Sequence, residues 1–129
     1  MRMEPSEVVA KLISAVESKD VSAAVALLAP QISYENMPMD PIVGQESVAA
    51  VLDGFLGPAK TVEWRILNQW EFGDTVINER IDRFQIGDGW LELPVAGVFR
   101  VNTEGRITLW RDYFDMGGYT RQLDELLDS

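Results

Sequence analysis

The sequence contains neither histidine nor cysteine, and these two absences exclude several kinds of site. Without cysteine the chain has no disulfide, no thiolate metal site and no thiol nucleophile. Without histidine it cannot build a Ser-His-Asp triad or an imidazole metal site. Acid–base chemistry in this protein must therefore use Asp, Glu, Tyr, Lys or Arg, and a metal site would have to consist of carboxylates.

Positive charge is also scarce. The 129 residues include 11 Lys and Arg against 21 Asp and Glu, which gives a net charge of −10 at pH 7. Binding of nucleic acid or of an anionic membrane surface needs clustered basic residues, so the excess of acid argues against both kinds of partner. The same charge is compatible with a neutral or cationic small-molecule ligand.

Long apolar runs are missing as well. No stretch approaches the ~18 consecutive apolar residues of a membrane-spanning helix, and residues 1–14 lack the composition of a signal peptide. We therefore predict a cytoplasmic protein. The length of 129 residues and the hydrophobic share of 47% are typical of one globular domain that covers residues 1–129.

The sequence does contain a block of helix signals followed by a block of strand signals. Pro5 opens a stripe of apolar residues at helical spacing, Asp20 is a typical helix cap, and Pro30 is expected to end the second helix. Gly117 and Gly118 are expected to separate the last strand from a closing helix. The further predicted helices span residues 22–29, 45–55 and 119–127, and the predicted strands span residues 32–37, 61–72, 75–86, 90–101 and 106–115. This order predicts an α+β fold in which a curved, largely antiparallel sheet wraps around the N-terminal helices and encloses a pocket.

Strand alternation places several charged residues on the same faces as aromatic ones. If the aromatic side chains face the cavity, the pocket also contains two carboxylates, a guanidinium, a phenol and an amide. Charged side chains are rarely buried unless they are paired, so such a cluster would indicate a catalytic site. The sets expected to share a face are Tyr34 and Asn36; Asn78, Arg80, Asp82 and Phe84; Leu91, Leu93, Val95 and Gly97; and Thr108, Trp110, Asp112 and Phe114.

The same pattern also permits a purely structural interpretation. Arg80 and Asp82 could form an exposed pair of little energetic value, and Asp112 could face solvent. Tyr34 and Asn36 could be an ordinary hydrogen-bonded structural pair. Strand alternation alone leaves both interpretations open, because each strand face carries apolar as well as charged residues.

Four segments of the chain resemble limonene-1,2-epoxide hydrolases, and they occur in the order found in that family. Together they extend over nearly the whole chain. The segments are Tyr34-Glu35-Asn36-Met37-Pro38, Glu79-Arg80-Ile81-Asp82, Gly97-Val98-Phe99, and Trp110-Arg111-Asp112-Tyr113-Phe114-Asp115 behind Asn102-Thr103-Glu104-Gly105-Arg106-Ile107. The resemblance implies a cone-shaped fold of the nuclear transport factor 2-like superfamily and a homodimer formed through the outer face of the sheet.

The resemblance also implies a role for each polar residue. Asp112 would act as the general base on a water molecule that Tyr34 and Asn36 help to position. Asp82 would act as the general acid on the epoxide oxygen, and Arg80 would bridge the two aspartates. The reaction would need no metal, no organic cofactor and no covalent intermediate. A hydrophobic epoxide would lie against Phe84, Leu93, Val95 and Phe114.

Two other functions remain open at this stage. An isomerase or cyclase of the same fold would use one aspartate as a base on a carbon acid, with Tyr34 as a donor to the oxyanion. A non-catalytic module would bind a small molecule without any reaction, since a fold alone does not decide function. A carboxylate metal site is disfavoured, because Glu79 points away from Asp82 and Arg80 would repel a cation.

Overall fold

A computed structural model describes residues 3–128 of the chain. It confirms the α+β class, with helices first and a meander of long antiparallel strands after them. The helices are α1 (Pro5–Glu17), α2 (Val21–Ala26), α3 (Gln45–Leu56) and α4 (Met116–Leu127); the strands are β1 (Leu28–Met37), β2 (Ile42–Val43), β3 (Thr61–Phe72), β4 (Thr75–Ile86), β5 (Gly89–Val101) and β6 (Ile107–Tyr113).

The six strands form one mixed sheet in the order β2-β1-β6-β5-β4-β3. All neighbouring strands run antiparallel except β1 and β6, which pair in parallel. Helix α1 packs on β3, β4 and β5, while α3 packs on β1 and α4 packs on β5. The helices therefore cover the concave face of the sheet, and this is the arrangement that leaves a pocket between the two layers.

The N-terminal helix forms for reasons that are visible in its sequence. Pro5 occupies the first turn, where its missing N–H costs nothing. The Glu7 side chain accepts a hydrogen bond from the Glu4 backbone N–H at 3.2 Å, which satisfies one of the free donors at the helix start. The apolar stripe of the helix is buried in the core and consists of Val8, Val9, Leu12, Ile13 and Val16.

Two predicted helix boundaries were wrong. Helix α2, capped by Asp20 as predicted, ends at Ala26, and Pro30 lies inside β1. Proline is tolerated there because the pairing of β1 with β6 is irregular between Leu28 and Ser33. Helix α4 begins at Met116, so Gly117 and Gly118 lie in its first turn instead of separating it from the last strand.

The sheet is bent at irregular positions in its long strands. The pairing of β3 with β4 shifts between Ile66 and Asn68, and the pairing of β5 with β6 shifts at Arg100 and Val101. Such bulges increase the local twist and allow a sheet to curl around the helices. No helix among residues 3–128 is both long enough and apolar enough to cross a membrane.

Helix α4 covers an edge of β5 that has no strand partner, because the pairing with β6 ends at Ala96. The Gln122 side chain accepts from the Glu92 backbone N–H at 3.0 Å and donates to the Glu92 backbone carbonyl at 3.0 Å. One amide thus replaces a missing strand partner and holds α4 against the sheet. The first turn of α4 then lies at the cavity, to which it contributes Met116 and Tyr119.

Candidate active site

The inner face of β4 carries the polar residues that strand alternation predicted. Asn78, Arg80, Asp82 and Phe84 are all buried, with 0%, 1%, 3% and 7% of their surfaces exposed. Asp112 on β6 is buried to the same degree, with 3% exposed. The alternative expectation that Arg80, Asp82 and Asp112 lie on the surface is therefore wrong. Burial of three charged side chains together requires mutual pairing, and the structure shows that pairing in detail.

Arg80 bridges the two aspartates through its guanidinium group. Its Nε donates to Asp82 Oδ1 at 2.9 Å, and its Nη2 donates to Asp82 Oδ2 at 2.9 Å. The same Nη2 also donates to Asp112 Oδ2 at 3.0 Å. The remaining nitrogen, Nη1, donates to Asn78 Oδ1 at 3.0 Å. All three guanidinium nitrogens thus have partners, and both carboxylates accept hydrogen bonds from a single cation.

Asp112 has an asymmetric environment. Its Oδ2 accepts from Arg80 and also from the indole Nε1 of Trp110 at 3.2 Å. Its Oδ1 is buried and has no hydrogen-bond partner among the described residues. In the parallel pairing of β1 with β6, Asn36 is the register partner of Asp112, and Tyr34 is the partner of Trp110. Tyr34 and Asn36 therefore lie on the Asp112 side of the site.

Gly97 makes the bridge across the sheet sterically feasible. It lies on β5 between its two register partners, Asn78 on β4 and Asp112 on β6. A Cβ atom on Gly97 would overlap Arg80 Nη1 and would lie 2.9 Å from Asn78 Oδ1 and 3.0 Å from Asp112 Oδ1. Only a residue without a side chain leaves room for the guanidinium to cross β5.

We expect Gly97→Ala to destabilise the protein by about 1–3 kcal/mol, because the added methyl group displaces buried, hydrogen-bonded charges. Urea unfolding at pH 7 measures the loss. Gly54→Ala is the matched control: nothing lies within 4 Å of a Cβ at that position of α3, and we expect it to stabilise the helix by about 0.5–1 kcal/mol. Equal stability of Gly97→Ala and the parent protein would contradict the assigned role of Gly97.

Burial dominates the electrostatics of the cluster. It raises the pKa of Asp82 to about 6, against the attraction and hydrogen bonds of Arg80. It also raises the pKa of Asp112, again against Arg80. Burial and the nearby Asp112 charge raise the pKa of Tyr34 as well, so this hydroxyl stays protonated and can donate. The two carboxyls can therefore hold a proton near neutral pH while Arg80 remains charged.

The cluster forms one wall of a cavity of about 280 Å³ between the sheet, α3 and α4. Every predicted site residue lines this cavity except Arg80, which lies behind the two aspartates and is inaccessible. The predicted members are Tyr34, Asn36, Asp82, Phe84, Leu93, Val95, Asp112 and Phe114, and the members that sequence reasoning missed are Met39, Val51, Phe55, Trp64, Met116 and Tyr119.

Most of the missed residues lie on helices and loops, where strand alternation gives no information. Val51 and Phe55 belong to α3, and the helical spacing of apolar residues in that segment could have indicated them. Trp64 on β3 packs its ring edge-on against Phe84 and beneath the Arg80 guanidinium at 4.8 Å. The cavity is therefore apolar except for the polar wall formed by β1, β4 and β6.

A carboxylate metal site does not fit this arrangement. Glu79 lies on the outer face, where Asn68 Nδ2 donates to its carboxylate at 3.0 Å. Within residues 3–128, no group of three or more acidic side chains is arranged to hold a metal ion. The positive guanidinium between Asp82 and Asp112 would in addition repel a cation.

The chain is similar to known proteins over most of its length. Residues 3–124 match the family model of the limonene-1,2-epoxide hydrolase catalytic domain. The chain is 36% identical over 104 residues to the epoxide hydrolase EphG of Mycobacterium tuberculosis, an alignment that covers 81% of this chain and 68% of that protein.

Solved structures extend the comparison to the fold. An LEH-like epoxide hydrolase of M. tuberculosis superposes with a TM-score of 0.79 at 33% identity, covering 95% of this chain and 94% of the other. A putative SnoaL-like polyketide cyclase from Shewanella denitrificans superposes with a TM-score of 0.78 at 15% identity, covering 94% and 97%. The second similarity is one of fold alone.

Proposed function

Because the chain belongs to the limonene-1,2-epoxide hydrolase family and is an epoxide hydrolase, we propose that it adds an activated water directly to a hydrophobic epoxide in one step. The observation that carries this mechanism is the buried Asp82–Arg80–Asp112 bridge at the wall of an otherwise apolar cavity. The bridge holds two carboxyls of different environment close to one reacting centre, which is what concerted acid–base catalysis needs.

Asp112 is the proposed general base. Its Oδ1 accepts no hydrogen bond from the described residues, whereas its Oδ2 accepts two. The Oδ1 atom is therefore the oxygen that is free to accept a proton. The protonated Tyr34 hydroxyl and the Asn36 amide lie on the same side of the cavity. We propose that they hold the attacking water against Asp112, which removes its proton as the water oxygen attacks.

Asp82 is the proposed general acid. Its register neighbours are the apolar residues Trp64 on β3 and Leu93 on β5. Burial in this setting favours the neutral carboxyl and raises the pKa of Asp82 to about 6. Two carboxyls in different environments are the usual arrangement of an acid and a base at one site.

The proposed reaction balances without any other group. The water oxygen forms a bond to one epoxide carbon while the bond from that carbon to the ring oxygen breaks. The ring oxygen receives the electron pair and takes the proton of Asp82, and Asp112 takes the proton of the water. The product is a vicinal diol, and the proton now on Asp112 returns to Asp82 through solvent.

The cavity lining supports a hydrophobic and compact substrate. Its volume of about 280 Å³ lies near the lower end of small-molecule sites, which run from ~300 to 1,000 Å³. Phe84, Leu93, Val95 and Phe114 supply apolar surface, and no Lys or Arg is among the described residues that line the cavity. An epoxide that carries a carboxylate would therefore enter without a cation to pair with it.

The experiment that tests this function uses water labelled with oxygen-18. The purified protein, pretreated with EDTA, is incubated in single-turnover amounts with terpene, styrene and cyclohexene epoxides. We expect a diol that carries the label after the first turnover. An unlabelled first-turnover diol would indicate attack by an enzyme carboxylate and would overturn the mechanism.

The second candidate is an isomerase or cyclase, a function suggested by the name of the SnoaL-like neighbour, with which this chain shares the fold alone. Such an enzyme would exchange deuterium into an enolisable ketone and would leave every epoxide unchanged. That result would replace the proposed function, because it would show proton transfer at carbon in place of epoxide opening.

A further inference from the structure

Asn78 is a buried polar residue beside the proposed acid–base pair to which the mechanism above assigns no role. It lies on β4 two residues before Arg80, and none of its surface is exposed. Its Oδ1 accepts from Arg80 Nη1 at 3.0 Å, and its Nδ2 donates to Gln69 Oε1 on β3 at 3.1 Å. A reversed amide would place Nδ2 against Arg80 Nη1, donor to donor, so the contact with Arg80 fixes the orientation of the amide.

The Arg80 guanidinium would have more freedom without this amide. Asp82 holds one edge of the guanidinium through Nε and Nη2, but a single bond from Nη2 reaches Asp112. Asn78 is the partner of Nη1 on the opposite edge. Hydrogen bonds to Asp82, Asp112 and Asn78 then fix the plane of the guanidinium and keep Nη2 within reach of both aspartates.

The chemical type of the residue matters as much as its position. A neutral amide accepts the bond from Nη1 without adding charge to the cluster. One proton shared between Asp82 and Asp112 leaves a single negative charge, which Arg80 balances. A carboxylate of nearly the same size at position 78 would accept the same bond but would give the buried cluster a net negative charge, which resists ionisation of both aspartates.

We propose that Asn78 is a positioning residue that fixes the Arg80 guanidinium between Asp82 and Asp112 while keeping the cluster electrically neutral. The catalytic consequence of this inference rests on the proposed function, whereas the geometry of the cluster does not depend on that function. The other titratable groups that face the cavity are Tyr34 from β1 and Tyr119 from α4. Burial raises the pKa of both hydroxyls, so neither contributes charge near neutral pH.

The test replaces Asn78 with aspartate and follows the two site carboxyls by ¹³C NMR of aspartate-labelled protein, with assignments from Asp82→Asn and Asp112→Asn. We expect Asn78→Asp to raise the pKa of both aspartates by about one unit. The limbs of the pH–rate profile of epoxide hydrolysis should move to higher pH by the same amount. Unchanged titrations in a folded Asn78→Asp protein would overturn the inference.

Asn68→Asp is the matched control. Asn68 also lies on a strand of the same hairpin and also donates to a neighbouring side chain, but it is exposed on the outer face. Solvent screens a charge at that position, so we expect the titrations of Asp82 and Asp112 to stay where they are. A shift of equal size in this control would show a general charge effect and would contradict a specific role for Asn78.

Asn78→Ala keeps the inference testable if Asn78→Asp does not fold. We expect a fall in kcat of about 10- to 100-fold with KM changed less than about threefold, since a misplaced guanidinium affects the reacting geometry more than binding. Wild-type kcat in this variant would overturn the inference. Absence of diol from the wild-type protein would contradict the proposed function instead, and the carboxyl titrations would still decide the role of Asn78.

Discussion

Replacement of Asp112 with asparagine is expected to lower kcat for epoxide hydrolysis by about 10²–10⁴-fold. The amide keeps the shape of the carboxylate and can still accept the hydrogen bonds that Arg80 and Trp110 donate to it. It cannot accept the proton of the attacking water, so the loss concerns the chemical step. Single-turnover kinetics with a saturating epoxide measure that step directly, and KM should change far less than kcat.

The control for this substitution is Asp124→Asn, which removes an acidic group from the exposed surface of α4. We expect its kcat to equal that of the wild-type protein. Thermal unfolding shows whether each variant is folded before its activity is compared. A folded Asp112→Asn protein that retained more than a tenth of the wild-type kcat would exclude Asp112 as the base.

Replacement of Arg80 with methionine is expected to destabilise the protein by about 3–5 kcal/mol at pH 8, because two buried carboxylates lose the cation that pairs with them. For a domain of this size the melting temperature should fall by more than about 10 °C. The matched control is Arg83→Met, which makes the same change on the outer face of the same strand. Arg83 forms partly exposed ion pairs with Glu63 and Glu92, and their loss should cost about 1 kcal/mol or less.

The stability deficit of Arg80→Met, meaning its loss of unfolding free energy relative to the wild-type protein, should increase with pH. Burial already raises the pKa of Asp82 and Asp112 above the ordinary value near 3.8, and removal of Arg80 raises both further. The folded variant then binds more protons than the unfolded chain, so its stability falls as pH rises from about 4 through the raised pKa values. Chemical unfolding at pH 4 and pH 8 should show a small deficit at pH 4 and the full deficit at pH 8. A deficit that shrank towards pH 8 would contradict the buried ion pairs.

The inner face of β4 could be predicted from the sequence because this strand is regular. Turns with Gly73 and Gly87 at positive φ bound it on both sides, and side chains alternate along its whole length. Asn78, Arg80 and Asp82 were therefore placed on the correct face by parity alone.

The same parity failed on β6. Thr108 was expected to share the inner face with Trp110, but it is exposed, and Ile107 is buried instead. The pairing of β5 with β6 shifts at this point, so that β6 contains one extra residue. The inward and outward alternation of side chains is therefore reversed on the N-terminal side of the shift. A bulge of this kind depends on how two strands pair and has no signature in the residues themselves.

The contacts within the site could not be predicted either, because they require the register of four strands. Gly97 was expected to face the cavity. That no larger residue fits at this position follows only from its place between Asn78 and Asp112 in the sheet. The hydrogen bond that Asn78 donates to Gln69 likewise depends on the pairing of β3 with β4. Sequence reasoning identified the polar groups and their face, while the strand register determines which of them touch.

The register row of Asn78, Gly97 and Asp112 has a consequence for how such an enzyme can evolve. Gly97 leaves the space that the side chains of Asn78, Arg80 and Asp112 occupy, so the effects of substitutions in this row are expected to depend on one another. The apolar wall contributed by Val51 and Phe55 of α3 and by Met116 of α4 shares no hydrogen bond with that row. Substrate preference can therefore change through independent single mutations in the helices. The residues of the acid–base site, in contrast, are expected to change together.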